Sequence, residues 1–422
     1  MQRNYFVVGL IMFIFFIISF LTNIMGPLIP EIIEDFQVSK GMAAFLPFAF
    51  FVAYGVFSIP SGIAIDKYKE KWNMLAAFAV AAAGASLFSL FPSFPVALVS
   101  LFLIGSGMAM LQVAINPLLR VSGGEEHFAF NSVMAQLVFG AASFLSPKLY
   151  SYLVVNLEKY DASAGANALV TILHQNVPAN LPWVSLYWIF AVITLLMVLM
   201  IWAIKLPDVK LTEDENAGSL ETHLKLFKNK TVILFFIGIF AYVGTEQGVA
   251  NWISQFLYEY HGFEPQEQGA DAIAWFWGLL TIGCFLGMGL LKIMDSKLVL
   301  RIFTILAMIA LTVSLLGPAK VALWGFPMVG FFLSVMWSII FSLALNSVKE
   351  HHGSFSGILC SGIIGGAVVP LIVGNLSDLI GLRGGMTFIY ITMAYILGIS
   401  FWAKPLIKNK IISKKKSVQI NH

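Results

Sequence analysis

Charged residues are scarce in this 422-residue chain: only 11% are Asp, Glu, Lys or Arg, whereas 59% are hydrophobic. Soluble domains carry about 25% charged and about 45 to 50% apolar residues, so the composition excludes an ordinary soluble domain and indicates an integral membrane protein. Cysteine is scarce too, with Cys284 and Cys360 both inside apolar runs. No disulfide framework and no Cys/His metal spacing can be built from two such residues, so we expect neither a metal site nor a cofactor.

Long apolar runs are what the chain has in abundance. A helix needs about 20 apolar residues to span a bilayer, and runs of that length, bounded by charge or by Pro/Gly clusters, occur twelve times. We predict an all-α integral membrane protein with twelve transmembrane helices. The predicted helices 1 to 12 cover 5–29, 41–65, 72–91, 94–119, 128–155, 184–205, 231–258, 271–294, 298–317, 320–347, 354–377 and 384–407.

Basic residues are distributed unequally between the two ends of these helices. With the N-terminus inside, five of the 25 Lys and Arg residues fall outside, which leaves 25 − 5 = 20 inside. The five are Lys40, Lys148, Lys159, Lys320 and Arg383. Because Lys and Arg are enriched in cytoplasmic loops, we expect both termini in the cytoplasm and the protein in the cell (inner) membrane.

One long polar connection divides the chain into two halves. We predict an N-terminal six-helix bundle at 1–205, a cytoplasmic linker at 206–230, a C-terminal six-helix bundle at 231–407 and a basic tail at 408–422. Predicted helices 5 and 11 also resemble each other, since both follow a charged turn and close at Pro147 and Pro370. Two parallel six-helix repeats are the architecture of the major facilitator superfamily.

The loop between predicted helices 2 and 3 reads GIAIDKYKEK. It resembles the superfamily's cytoplasmic GxxxD(R/K)xGxx(R/K) signature, with Gly62, Asp66 and Lys67 in register and Lys71 close to the final basic position, although Lys69 stands where a glycine is usual. A small residue permits close helix packing and an acid can pair with a helix end, which suits a cytoplasmic gate. The alternative is an ordinary basic loop.

Amides interrupt the apolar stretch GMAMLQVAINPLLR of predicted helix 4. Gln112 and Asn116 are four residues apart and share one helix face, while Pro117 frees the carbonyl of Val113. Such groups are tolerated in hydrocarbon only where they face protein or a water-filled cavity. They either join helices or bind a hydroxylated ligand.

Further uncharged polar groups recur at similar depth in predicted helices 1, 5, 7 and 10. A set without fixed charge suits a neutral, hydroxyl-rich solute, and tryptophan faces could pack on the C–H side of a sugar ring. The resemblance to the superfamily implies that predicted helices 1, 4, 7 and 10 line a central cavity. The candidate substrate-binding residues are Asn23, Gln112, Asn116, Asn131, Gln136, Gln247, Asn251, Asn346, Trp252 and Trp337.

Glu246 is the one clear acid well inside a predicted helix. An intramembrane carboxylate is costly and by default marks a functional site. It could exchange a proton or, with nearby oxygens, ligate Na+, so Glu246 is the ion-coupling candidate. The alternatives are a sugar-binding acid or a structural partner of the Tyr242 or Thr245 region.

Three segments together resemble the fucose-galactose-glucose family of sugar-cation symporters within the superfamily. They are the small-residue helix that ends in Asn116-Pro117, the start of the helix 7 motif at Tyr242-Val243-Gly244, and the Gly-rich helix 11 from Ser361 to Asp378. The resemblance covers nearly the whole chain. It implies symport of a sugar with a cation.

The chain departs from that family at the expected proton-linked acids. A fucose-transporting member is understood to carry one acid four residues before a proline of helix 1 and another four residues before the Asn-Pro of helix 4. Gly26 and Gln112 occupy those positions here. Coupling through Glu246, coupling to Na+ and no coupling therefore all stay open.

We predict a secondary active transporter, and not an enzyme, that imports a neutral hexose such as fucose, glucose, galactose or an amino-hexose by alternating access, coupled to H+ or Na+. We expect a monomer whose partners are the sugar and the lipid bilayer, without nucleic acid. The alternatives are an uncoupled sugar facilitator, an exporter of another metabolite or drug, a membrane enzyme that uses loop histidines, and a receptor on the same fold.

Overall fold

In the described part of the chain, twelve main helices run back and forth as an all-helical bundle. The computed structural model describes residues 4–123, 128–160, 167–206, 220–348 and 352–405. Within these ranges the side chains of Asp66, Asn116 and Pro117 lie outside what is described. The predicted linker core and the tail at 408–422 also lie outside the described residues.

The helices of the N-terminal half are α1 to α6. Their bounds are α1 Tyr5–Asp35, α2 Lys40–Ile65, α3 Lys67–Leu90, α4 Phe94–Gly123, α5 Phe128–Glu158 and α6 Pro182–Ala203. A short helix, Ala168–Asn176, lies between α5 and α6.

The helices of the C-terminal half are α7 to α12. Their bounds are α7 Lys230–His261, α8 Pro265–Ile293, α9 Ser296–Leu316, α10 Ala319–Leu345, α11 Ser354–Met386 and α12 Ile389–Trp402. Another short helix, Leu220–Leu226, precedes them.

Eleven of the helices in the described part of the chain are long and apolar enough to cross a membrane, and α12 is a shorter apolar helix. Gly381 explains why α12 is short, because its φ of 77° breaks the helical conformation inside α11. Residues 382–402, about 20 in number, therefore follow that break, enough to span a bilayer. The twelve-helix fold is confirmed.

Lys69 makes the equivalent break between α2 and α3. The hydrogen-bonded helix runs from Phe45 to Leu90, but Lys69 has φ 67° and ψ 163°. That region is essentially reserved for glycine. Lys69 thus occupies the position where the loop signature usually has a glycine, and the backbone keeps the conformation that glycine would favour.

We call the face on which Tyr5, Leu226 and Trp402 lie the terminal face, and the face on which Lys40, Lys148 and His261 lie the distal face. An even number of crossings places the two ends of the described chain on the same side.

The two halves contact each other at mid-depth and at the distal face. Near the distal face the Lys40 ammonium pairs with the Glu259 carboxylate at 2.8 Å, and Lys148 pairs with Asp271. The backbone N–H groups of Lys40 and Gly41 donate to the Asp378 carboxylate at 3.0 and 2.8 Å. This conformation is therefore closed at the distal face.

Candidate functional site

Breaks in α1 and α7 lie side by side at mid-depth. In α1 the helix ends at Thr22 and resumes at Met25, and in α7 it ends at Ala250 and resumes at Ile253. A side chain at Gly26 would meet the carbonyl oxygen of Ala250, so the two broken segments pack backbone to backbone. Discontinuous helices of this kind form the substrate and ion sites of many transporters.

A chain of polar side chains crosses from one half to the other beside these breaks. In the N-terminal half the Asn23 Nδ2 donates to the Ser143 Oγ at 2.8 Å, and Ser143 shares a 2.6 Å hydrogen bond with Ser19. The Gln247 Nε2 of α7 then donates to the Asn23 Oδ1 at 3.5 Å.

Glu246 continues this chain within α7. One carboxylate oxygen accepts from the Tyr242 hydroxyl at 2.6 Å, and the other accepts from the Gln247 Nε2 at 3.4 Å. Gln247 therefore donates hydrogen bonds to both Glu246 and Asn23. A change in the charge of the Glu246 carboxylate can thus alter the Gln247–Asn23 hydrogen bond between the two halves.

Aromatic rings lie next to the carboxylate. The Trp337 ring is 6.0 Å from the Tyr242 ring and is stacked on Phe341 at 5.7 Å, with 23° between the planes. Trp337, Phe341 and Glu246 are half-buried although the distal face is closed. These side chains therefore keep some exposure in this conformation.

We call Asn23, Tyr242, Glu246, Gln247 and Trp337 the midplane site. It joins an acid, amides and a flat apolar ring in one place. Amides and a carboxylate exchange hydrogen bonds with hydroxyl groups, and an indole can pack on the C–H face of a ring. The arrangement is chemically suited to bind a sugar.

The other predicted substrate-binding residues differ in exposure and in partners. Asn131 is half-buried and Gln136 is exposed on α5. Trp252 is fully buried, and its Nε1 donates to the Pro370 carbonyl oxygen at 3.3 Å, so in this conformation it packs between α7 and α11. Gln112 is half-buried with a partner of its own. The Asn116 side chain is not among those described.

Asn346 belongs to a separate cavity of about 330 Å³ at the terminal face of the C-terminal half. Its Nδ2 donates to the Ser342 Oγ at 3.4 Å. The polar residues that line the cavity are Asp295, Ser296, Lys297, Ser338, Ser342, Asn346 and Lys404.

The predicted gate residues lie on the α2–α3 connection. Gly62 is buried, Lys67 is exposed with its ammonium 5.0 Å from the Tyr68 ring, and the Asp66 side chain is not described. The Lys71 ammonium donates to the carbonyl oxygens of Trp202 and Ile204, at 2.9 and 2.6 Å. Lys71 therefore caps the end of α6, which the sequence did not suggest.

Lys297 repeats this arrangement in the other half. Its ammonium donates to the carbonyl oxygens of Phe401 and Ala403, at 3.4 and 2.8 Å, at the end of α12. Cations near a helix C-terminus are stabilising. In each half, a lysine therefore stabilises the C-terminal end of the last helix. The pair is structural support for the predicted repeat.

Sequence comparisons identify relatives along nearly the whole chain. The family model described as Major Facilitator Superfamily matches residues 11–370. A protein named glucose/galactose transporter from Brucella abortus is 31% identical over 94% of this chain and 93% of its own length. A putative glucose/galactose transporter from Helicobacter pylori is 30% identical over 89% of this chain and 90% of its own.

Similarity to the L-fucose-proton symporter of Escherichia coli is lower, at 26% identity over 90% of this chain and 89% of that protein. A crystal structure of the Escherichia coli fucose:proton symporter superposes with a TM-score of 0.67 at 23% identity, covering 94% of this chain and 98% of that one. An inward-facing bacterial homologue of the lysosomal transporter Spinster superposes with a TM-score of 0.74 at 16% identity, covering 94% and 96%.

The structural matches show the shared fold, and the family model covers most of the chain. The sequence relatives are named as transporters. The resemblance seen in the sequence motifs is therefore confirmed, and the chain belongs to the major facilitator superfamily.

Proposed function

We propose that this protein imports a neutral hexose, such as glucose, galactose, fucose or an amino-hexose, by alternating access, as a symporter driven by H+ or Na+. The observation that carries the proposal is the polar chain from Ser143 through Asn23 and Gln247 to Glu246, which joins the two halves at mid-depth. The names of the sequence relatives support the same substrate class.

Sugar binding would use the midplane site from both halves. Hydroxyl groups would replace the long Gln247–Asn23 contact of 3.5 Å with shorter hydrogen bonds. The Trp337 ring would pack on the apolar face of the sugar. A ligand held by both halves can couple binding to their relative movement.

Glu246 is the proposed coupling group. Binding of H+ or Na+ would neutralise the carboxylate and weaken its acceptance from Tyr242 and Gln247. Gln247 would then be free to bond the sugar or Asn23. Ion binding and sugar binding would thus share one amide, which gives a direct physical route for coupling.

The proposed orientation places the terminal face in the cytoplasm. Twenty of the 25 Lys and Arg residues, 25 − 5 = 20, belong to that side, as the positive-inside rule requires. The conformation closed at the distal face is then open inward. We propose the cell membrane as the location and a monomer as the working unit, since one chain supplies both halves of the site.

The test is uptake of radiolabelled D-glucose, D-galactose and L-fucose into proteoliposomes under an imposed pH or Na+ gradient. Wild-type protein should accumulate at least one sugar under one gradient. Glu246→Gln should lose accumulation yet keep exchange of labelled for unlabelled sugar, whereas Glu221→Gln, on the exposed short helix, should behave as wild type.

Three results would contradict parts of the proposal. Accumulation that survives in Glu246→Gln would remove Glu246 from coupling, and equilibration without accumulation in the wild type would indicate an uncoupled facilitator. Failure of every sugar to be transported or to raise the unfolding temperature would refute the substrate class and favour a transporter of another metabolite.

A further inference from the structure

The distal half of α7 carries polar residues at regular four-residue intervals: Gln247, Asn251, Gln255 and Glu259. Both ends of this series contact the N-terminal half, through the Gln247–Asn23 hydrogen bond and the Glu259–Lys40 ion pair. Within the regular segment Ile253–His261, Gln255 lies one turn before Glu259 and shares its face. Asn251 lies at the helix break itself, next to the Ala250 carbonyl that contacts Gly26.

The two middle amides are buried and lack partners. Asn251 is 2% exposed and Gln255 is 6% exposed. The Asn251 Nδ2 and the Gln255 Oε1 have no hydrogen-bond partner among the described residues. A buried amide without a hydrogen-bond partner is destabilising. We therefore expect another conformation in which these two amides form hydrogen bonds.

Separation of the halves at the distal face provides that state. The distal segment of α1, Met25–Asp35, packs on the α7 segment Ile253–His261. Gly26 lies directly against the Ala250 carbonyl, next to Asn251. Separation of these segments would expose both amides between the Lys40–Glu259 ion pair and Gln247.

We propose that Asn251 and Gln255 form a second sugar-binding site, the vestibule site, which is present only when the distal face is open and which receives a neutral polyhydroxylated solute before it reaches the midplane site. This proposal rests on the proposed function. Amide groups offer both donors and an acceptor to sugar hydroxyls. Gln255 lies eight residues beyond Gln247 and past the helix break, so it is the residue that distinguishes the vestibule site from the midplane site.

The sugar would then leave both amides for the midplane site, and closure of the distal face would bury the amides without hydrogen-bond partners. The buried, unpartnered amides in the present conformation are the expected remnant of that step. A purely structural role, in which the amides join helices, predicts instead that they have partners in the closed conformation.

The experiment compares sugar uptake from the two faces. Asn251→Leu and Gln255→Leu, which keep the side-chain size, are assayed with radiolabelled D-glucose, D-galactose and L-fucose in right-side-out and inside-out membrane vesicles. Asn156→Leu, an exposed amide that bonds its own helix at the distal end of α5, is the matched control.

Loss of a hydrogen bond to the sugar should raise the KM for uptake from the distal face about three- to tenfold in each variant, with the KM from the terminal face unchanged. Both variants should also unfold at the wild-type temperature or above it, since a buried unpartnered amide has been removed. Gln255 lies in the regular segment Ile253–His261. Gln255→Leu therefore tests the vestibule site even if Asn251→Leu disturbs the helix break.

Unchanged KM at the distal face in Gln255→Leu, or an equal rise at both faces, would overturn the vestibule site. Either result leaves sugar transport itself intact in the wild type. Absence of transport of all three sugars by the wild type would instead refute the proposed function, so the two failures are distinguishable.

Discussion

Replacement of Gly26 by alanine should shift the protein away from the conformation closed at the distal face. A Cβ atom at Gly26 would lie 2.9 Å from the Ile273 Cδ1 and would also meet the Ala250 carbonyl oxygen. The Ile273 methyl group can rotate away, but the backbone carbonyl of α7 cannot. The added methyl group therefore penalises the packed halves and leaves the separated halves unaffected.

The size of the effect follows from the cost of overpacking, which is about 1 to 3 kcal/mol for an added methylene in a packed core. A coupling free energy of that size changes an equilibrium about 5- to 150-fold. The ratio of distally open to distally closed protein should rise by this factor.

Gly289→Ala is the matched control, because a Cβ atom there meets nothing within 4 Å. Gly289→Ala adds the same methyl group to a helical glycine without a close neighbour, so a conformational shift seen only in Gly26→Ala reports the contact with α7. Gly289 also lies on α8, toward the terminal face, away from the distal contacts.

The measurement is the distance between spin labels at Lys159 and Lys320, which are exposed at the distal ends of the two halves. Gly26→Ala should populate a longer distance that Gly289→Ala lacks, and its turnover should fall. Identical distance distributions for the two variants would refute the reasoning, since the α1–α7 contact would then not set the conformational equilibrium.

Three further outcomes test other features of the chain. Lys69→Gly should raise the unfolding temperature, since a non-glycine residue in that backbone region costs about 1 to 3 kcal/mol, and a lowered temperature would contradict the assigned φ. Lys71→Met and Lys297→Met should each destabilise the protein by about 0.3 to 2 kcal/mol in thermal unfolding, whereas the control Lys67→Met should not. Equal effects for all three variants would refute the proposed capping of α6 and α12 by these lysines. Trp337→Ala should raise the KM for sugar at the terminal face several-fold through loss of ring packing, with an unchanged KM as the refuting result.

The fold could be predicted from the sequence because each span is a run of apolar residues, and the bilayer allows few other structures. Some boundaries could not be predicted. Predicted helices 11 and 12 were separated by residues 378–383, whereas the α-helical hydrogen bonds continue through the Gly381 break to Met386. Hydropathy reports polarity along the chain but not where the backbone turns.

The site was predictable only in part. Asn23, Glu246 and Gln247 stand out as polar residues in apolar runs, and they lie together. Asn346 stands out equally but lies in a different cavity, because helix rotation decides which face a residue occupies. The burial of Gln255 and the caps made by Lys71 and Lys297 depend on contacts between distant segments, which a single sequence does not reveal.

The charged contacts of the distal face have a consequence for how the medium influences this protein. Lys40, Lys148, Glu259, Asp271 and Asp378 join one half to the other, whereas Lys71 and Lys297 bind carbonyl groups of their own half. Salt weakens exposed ion pairs, so the ionic strength on the distal side should act on the balance between conformations. Salt on the terminal side should act on the stability of each half instead, so the two faces should respond differently to the ionic strength of the solution that bathes them.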